Sequence, residues 1–224
     1  MKVVHLSTYD IKGGAAQATY RLHKELERLG HQSSMFVVTR SSHDTAVVEF
    51  APATDLMSRL QRWFRGKRIA RDFAPYQASR PPGYEPFSDD RSHYAGEFLA
   101  QLPSCDIVNL HWVANYLDYL TFFSSVPDRT PVVWRLADMN AFTGGCHYDD
   151  GCGRFSQGCG VCPQLGSTQA DDFVAEGMEE KRSGVSHSEL RQTPYRRALP
   201  LDGGASPTEP APEPLFSDNY PKRN

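Results

Sequence analysis

The chain has 224 residues, a hydrophobic content of 39% and a formal net charge of −3. This hydrophobic content suffices for an ordinary globular core, which excludes a chain that is disordered throughout. Charges of both signs are interspersed, which argues against the strongly basic balance of a dedicated nucleic-acid-binding domain. We therefore expect one large domain or two small ones, with no nucleic-acid partner.

The N-terminal residues predict a strand followed by a helix. The run KVVHLS (residues 2–7) is apolar and β-branched, and from Ala15 onward apolar residues recur at helical spacing until Gly30 caps the helix. Between the two elements stand Gly13 and Gly14, where free backbone N–H groups and the helix dipole could hold a phosphate or another anion. A tight turn that needs positive φ explains the same glycines equally well.

Three further apolar runs predict strands separated by helical or loop segments. They are HQSSMFVVTR (residues 31–40), DIVNLHW (residues 106–112) and TPVVWRLADM (residues 130–139). A helix over residues 94–102 precedes the second of these strands. This alternation is typical of an α/β fold, in which a parallel sheet is flanked by helices.

Residues 56–73 combine basic and apolar side chains in a helical pattern. Such a helix can lie on an anionic membrane surface, or it can pack on its own domain with its charges in water. The sequence favours the second arrangement because Gly66 interrupts the helix. Residues 74–92 are rich in Pro, Gly and Ser, which predicts a loop.

The two ends of the chain carry no membrane-spanning pattern. The N-terminus has no apolar leader, and no stretch approaches the roughly 20 apolar residues of a membrane span. The interpretation is a cytoplasmic protein, with peripheral contact to the inner membrane through residues 56–73 as the alternative. Residues 200–214 contain five prolines and almost no large apolar side chain, so we expect a disordered tail over residues 183–224.

A cysteine cluster between residues 144 and 166 has the spacing C-x5-C-x6-C-x2-C. Four thiolates so close together, interleaved with glycines, predict one structural zinc ion, and His147 could replace one ligand. Two disulfides or four unlinked thiols are the other interpretations. Cys105 stands apart and is typical of a small buried apolar side chain. The predicted ligands are Cys146, Cys152, Cys159 and Cys162.

Taken together, these motifs resemble the N-terminal domain of family 4 glycosyltransferases of the GT-B fold, in the bacterial exopolysaccharide and colanic-acid-type branch. The resemblance covers residues 1–182 and is most specific over residues 131–166, PVVWRLADMNAFTGGCHYDDGCGRFSQGCGVCPQLG. It implies a Rossmann-like acceptor-side domain that faces a second domain holding a nucleotide-sugar donor. The transferred sugar would go to a saccharide or lipid-linked acceptor.

The resemblance also implies site residues at the cleft between the two domains. Gly13 and Gly14 would approach the donor diphosphate or the transferred sugar, and His111 and Asp138 would line the same cleft. The family usually has Leu-His-Asp-Met-Trp where this chain has LADMN (residues 136–140), so the expected histidine is replaced by alanine. The resemblance assigns no catalytic residue.

Beyond residue 182 the sequence no longer follows the family pattern, which would continue into the donor domain. The expectation is a truncated or frameshifted gene product that is inactive alone, or one that works with a separately encoded donor-domain protein. The alternative function is a non-enzymatic, metal-stabilised module that binds a saccharide or a partner transferase.

Overall fold

A computed structural model describes residues 1–127, 129–179 and 181. Its centre is a five-stranded sheet in which every pairing is parallel, in the order β3-β2-β1-β4-β5. The predicted α/β class is confirmed, and the arrangement is Rossmann-like. The strands are β1 (Lys2–Tyr9), β2 (Gln32–Thr39), β3 (Val47–Glu49), β4 (Ile107–Leu110) and β5 (Val132–Trp134).

Helices connect and flank these strands. The helix α1 (Gly14–Arg28) crosses from β1 to β2, α2 (Leu56–Ser79) follows β3, and α3 (Tyr119–Ser125) lies between β4 and β5. A 3-10 turn (Glu97–Gln101) occupies the place of the helix predicted over residues 94–102, and it is shorter mainly at its N-terminal end, where Ala95 has a φ of 48° that is not helical. Residues 173–179 form a further helical segment.

The two faces of the sheet differ in chemistry. One face is apolar and packs against α3 and the 3-10 turn in the main hydrophobic core. Its buried residues include Leu6, Phe36, Phe98, Leu110 and Phe122. The other face packs against α1 and mixes apolar with polar side chains, among them His5, His23, Ser33, Met35 and Val37. The sheet therefore has one apolar covered face and one covered face that contains buried polar side chains.

The helix α2 is longer than predicted. It passes through Gly66 without a break and through Pro75, so the loop predicted from residue 74 begins only at Arg80. A proline in a helix interior removes one backbone hydrogen bond and costs about 3 kcal/mol. Packing offsets that cost, because Phe73 lies against Phe87 and Phe173 with ring centroids 6.0 and 6.3 Å apart.

The helix α2 follows only in part the arrangement favoured from the sequence. The guanidinium of Arg62 donates to Glu97, and that of Arg65 contacts Asp118, whereas the other basic residues of the segment are exposed, as expected. Five apolar side chains are exposed as well, with exposed fractions between 41% and 72%. They are Leu56, Met57, Leu60, Trp63 and Phe64. This set is called the apolar patch of α2 below.

Along the part of the chain that the structure describes, no helix has both the length and the apolar character needed to cross a bilayer. The tail predicted over residues 183–224 lies outside the described residues.

Candidate functional site

The turn between β1 and α1 lies at the carboxyl edge of the sheet. Gly13 is the N-cap of α1 with φ of 88°, and no side chain caps the helix. A Cβ atom added at Gly13 or Gly14 would meet no atom within 4 Å. Positive φ at Gly13 agrees with the tight-turn interpretation, and the open space leaves the backbone of both glycines accessible. Their role in binding an anion stays a prediction.

Asp10 fixes the position of this turn. Its buried carboxylate accepts hydrogen bonds from the backbone N–H groups of Ile11, Ser41 and Ser42, at 2.8, 3.0 and 2.7 Å. Burial alone would raise the pKa of Asp10, but the hydrogen bonds from Ser42, Ser41 and Ile11 outweigh it and lower the pKa below its usual value. One ionised carboxylate thus joins the end of β1 to the loop that follows β2.

Two aromatic rings meet at the ends of β1 and β4. Tyr9 and Trp112 are stacked, with ring centroids 6.1 Å apart and planes inclined by 17°. The ammonium of Lys12 lies 5.4 Å from the centroid of the Tyr9 ring. The arrangement brings an aromatic surface and a cation next to the first turn of α1.

Asp138, which follows β5, is held by a histidine that comes from the cysteine-rich segment. The Nδ1 atom of His147 contacts an oxygen of Asp138, and its Nε2 atom lies 2.8 Å from the hydroxyl of Ser88. The indole N–H of Trp112 lies 3.3 Å from the same Nδ1 atom. Because both ring nitrogens have partners, His147 in this position is not available as a metal ligand. Asp138 keeps 13% of its side chain exposed.

A groove of about 250 Å³ lies between α2 and residues 87–93. Its wall includes Ile69, Phe73, Phe87 and Arg91. Phe87 directly precedes Ser88, whose hydroxyl contacts His147, and His147 in turn contacts Asp138. The groove and Asp138 are therefore linked through these residues.

His111 lies elsewhere than the sequence resemblance implied. Its side chain is 2% exposed, and its Nε2 atom lies 2.9 Å from Nδ1 of His5 in the interior between the sheet and α1. Burial is the main cause that lowers the pKa of His111 to about 3 and that of His5 to about 4, so both rings are neutral near pH 7. Successive residues of a strand point to opposite faces, and it is Trp112 that reaches the edge.

The buried histidines continue toward the surface on the α1 side. The hydroxyl of Ser33 joins His5 to His23, at 3.2 and 2.8 Å. Among the described residues, His23, Glu27 and Asp44 are the one group of three potential metal ligands whose atoms all lie within 4.8 Å of one another. The ammonium of Lys24 already contacts both carboxylates, so the charge that would attract a metal ion is compensated.

The predicted zinc ligands lie on a separate part of the domain. Cys146, Cys152, Cys159 and Cys162 are free thiols that line one small cavity. Burial raises the pKa of Cys146 to about 11. The fifth cysteine, Cys105, packs against the main core but is half-buried rather than fully buried.

Several residues of the candidate site were not assigned to this edge from the sequence, because their roles depend on contacts between distant segments. They are Tyr9, Lys12, Ser88, Trp112 and His147. Trp112 had a usable signal, since it is the last residue of the strand predicted over residues 106–112.

Comparisons with protein-family models, with curated proteins and with solved structures found no match. The resemblance to family 4 glycosyltransferases therefore stays a prediction.

Proposed function

We propose that this chain is the acceptor-side domain of a glycosyltransferase that moves a sugar from a nucleotide diphosphate donor to a saccharide or lipid-linked acceptor. The observation that carries the proposal is the grouping of three features at one edge of the sheet. These are the open backbone at Gly13, the stacked Tyr9 and Trp112, and the supported carboxylate of Asp138. Ligands of open α/β sheets bind at this edge.

Each feature suits one part of a sugar nucleotide. The first N–H groups of an uncapped helix, with the ammonium of Lys12 nearby, favour the oxygens of a diphosphate. The carboxylate of Asp138 can accept hydrogen bonds from sugar hydroxyls, and His147 holds it in position. The half-buried indole of Trp112 contacts the rings of Tyr9 and His147, and its accessible part would pack against a sugar ring. The groove beside Phe87 would receive the acceptor.

The apolar patch of α2 supports a lipid-linked acceptor. Five exposed apolar side chains within three helical turns form a contiguous apolar patch, and such patches usually mark an interaction site, whereas single exposed apolar residues are common. Exposed basic residues, Lys67, Arg68 and Arg71, follow the patch toward the C-terminal end of the helix. Apolar and basic side chains at one surface fit the boundary of an anionic membrane. An acceptor with a lipid anchor would be presented at that boundary.

The test is a titration of the full chain with a panel of nucleotide sugars, monitored by the NMR chemical shifts of the backbone amides. We expect the amides of residues 13–17 to shift with a Kd of about 1 mM, which corresponds to a binding free energy of about −4 kcal/mol. The weak value reflects a ligand in contact with one wall rather than enclosed. Asp138→Asn and Trp112→Leu should weaken binding, and Val48→Ala, an exposed apolar residue of β3, should not.

Two outcomes would overturn the proposal. One is a panel that leaves residues 13–17 unshifted at concentrations well above the expected Kd. The other is tight binding of free saccharides with no response to the nucleotide part, which would identify a non-enzymatic saccharide-binding module.

A further inference from the structure

Four cysteine side chains surround one small space in the segment of residues 144–166. The cavity has a volume of about 20 Å³, which is close to the room that one water molecule requires. We propose that this cavity is a structural zinc site and that the four thiolates are its ligands. The ligands are Cys146, Cys152, Cys159 and Cys162. This site is independent of the proposed function, because its residues bind no part of a sugar nucleotide.

The sulfur atoms receive hydrogen bonds of the kind that stabilise metal-bound thiolates. The N–H of Gly144 lies 3.3 Å from the sulfur of Cys159. Burial raises the pKa of the Cys162 thiol, and the backbone N–H groups of Leu165 and Gln164, which are directed at its sulfur, act against that rise. Hydrogen bonds to the charged form of a group favour that form. The backbone around two of the four cysteines is therefore already arranged for thiolate sulfur.

A buried cation lies beside the cluster. Four thiolates bound to Zn²⁺ leave a net charge of about −2, which a buried site must compensate. Lys181 is 4% exposed, and its ammonium donates to the carbonyl oxygens of Asn140 and Thr143 at 3.0 and 3.1 Å. Burial lowers the pKa of Lys181, and the carboxylates of Asp90 and Asp89 are the main negative charges that oppose this, with Cys146 and Cys159 adding to them. A buried ammonium shared between these carboxylates and the cysteines offsets part of the negative charge of a thiolate cluster.

Ion binding requires the sulfur atoms to move closer together. Zn–S bonds of about 2.3 Å in a tetrahedron place the sulfurs about 3.8 Å apart. Among the described residues, no three of these sulfurs all lie within 4.8 Å of one another. Residues 149–158, which carry Cys152, are mostly exposed, whereas Cys162 belongs to a packed cluster with Leu165 and Val174. Because the sulfurs of Cys146, Cys159 and Cys162 do not all lie within 4.8 Å of one another either, we expect these three to draw together and the exposed Cys152 segment to close on them, with one proton released from each thiol.

The first experiment measures the metal content of the full chain, purified under reducing conditions and examined by multi-element mass spectrometry. We expect about one zinc ion per chain. Replacing Cys146, Cys152, Cys159 or Cys162 by serine, one at a time, should reduce zinc content severalfold. Cys105→Ser is the matched control and should retain the full amount, because that thiol packs in the main core.

A second measurement keeps the test decisive if a variant does not fold. Native mass spectrometry of the wild-type chain should show the zinc-bound mass, and a chelator should remove the ion while four thiols become reactive. Substitution with Co²⁺ should give the thiolate-to-metal absorption bands of a tetrahedral site. The proposal is overturned by a metal-free chain whose four thiols react freely, by disulfides between these cysteines, by bound iron with labile sulfide, or by full zinc retention in the serine variants.

Discussion

Acidification should destabilise this domain through its buried histidines, and His5 is the group at which the effect can be measured. The ring of His5 is inaccessible to solvent, and burial, aided by the nearby His23, lowers its pKa from 6.5 to about 4. In the unfolded chain the same ring binds a proton near pH 6.5. The neutral ring therefore contributes its full stabilisation above pH 6.5. That contribution falls as the pH drops through the window between 6.5 and 4.

The magnitude follows from the two pKa values. At about pH 5 the unfolded state is protonated at His5 and the folded state is mostly not, which lowers the free energy of unfolding by about 2 kcal/mol relative to pH 8. This figure is for His5 alone. Burial lowers the pKa of His111 to about 3, so His111 adds a loss of its own, which is common to the wild type and a variant at His5.

The assay is urea unfolding followed by far-UV circular dichroism at about pH 8 and about pH 5, for the wild type and His5→Gln. Glutamine can still hydrogen-bond to His111 and Ser33 but does not titrate, so the variant should lose about 2 kcal/mol less stability on acidification than the wild type. His43→Gln, which alters an exposed histidine, should retain the wild-type pH dependence. Equal losses in the wild type and His5→Gln would refute the reasoning.

Five further substitutions test other parts of the structure. Gly13→Ala should cost about 1–3 kcal/mol in urea unfolding, because φ is 88° and ψ is 165° there, a conformation that essentially only glycine adopts, and Gly14→Ala, inside the helix and equally open, should cost nothing. Asp10→Asn should lower the free energy of unfolding by about 1–3 kcal/mol at neutral pH. The stability advantage of the wild type over this variant should disappear as the pH falls from about 3.8, the usual pKa of aspartate, to below the lowered pKa of Asp10 in the folded state. A cost unchanged at low pH would contradict that origin. Gly144→Ala should destabilise by about 3 kcal/mol or more, because a Cβ would lie 2.0 Å from Val174 Cγ1, whereas Gly66→Ala in α2 should stabilise by about 0.5–1 kcal/mol. Similar melting temperatures for these two variants would show that the close contact is wrong.

The parts of the fold that local patterns determine were predictable. The β-branched run at the N-terminus and the apolar spacing after Ala15 are short-range signals, and β1 and α1 follow them. The strand β3, with three residues, is too short to give a pattern. The length of α2 was missed for a different reason. Pro75 and Gly66 argue locally against a helix, and only the contacts of Phe73 with distant aromatic rings show why it persists.

The grouping of the candidate site residues was predictable only in part. The rule that ligands bind at the carboxyl ends of parallel strands predicted that Gly13 and Asp138 share one edge of the sheet, and both lie there. The rule does not say which of two adjacent side chains faces outward, and the side chain of His111 is buried whereas that of Trp112 reaches the edge. His147 could not be assigned, since its partners Asp138 and Ser88 come from segments with no local pattern that links them.

The central position of β1 has a consequence for how the chain folds during synthesis. This strand leaves the ribosome before its second neighbour, β4, which lies 104 positions later, as the bond from Lys2 to Asp106 shows. At about 5–20 residues per second, roughly 5–20 s pass between the two strands. During that time β1 can pair with β2 but presents its other edge unprotected. We expect nascent chains that contain β1 but end before β4 to be the species that require a chaperone.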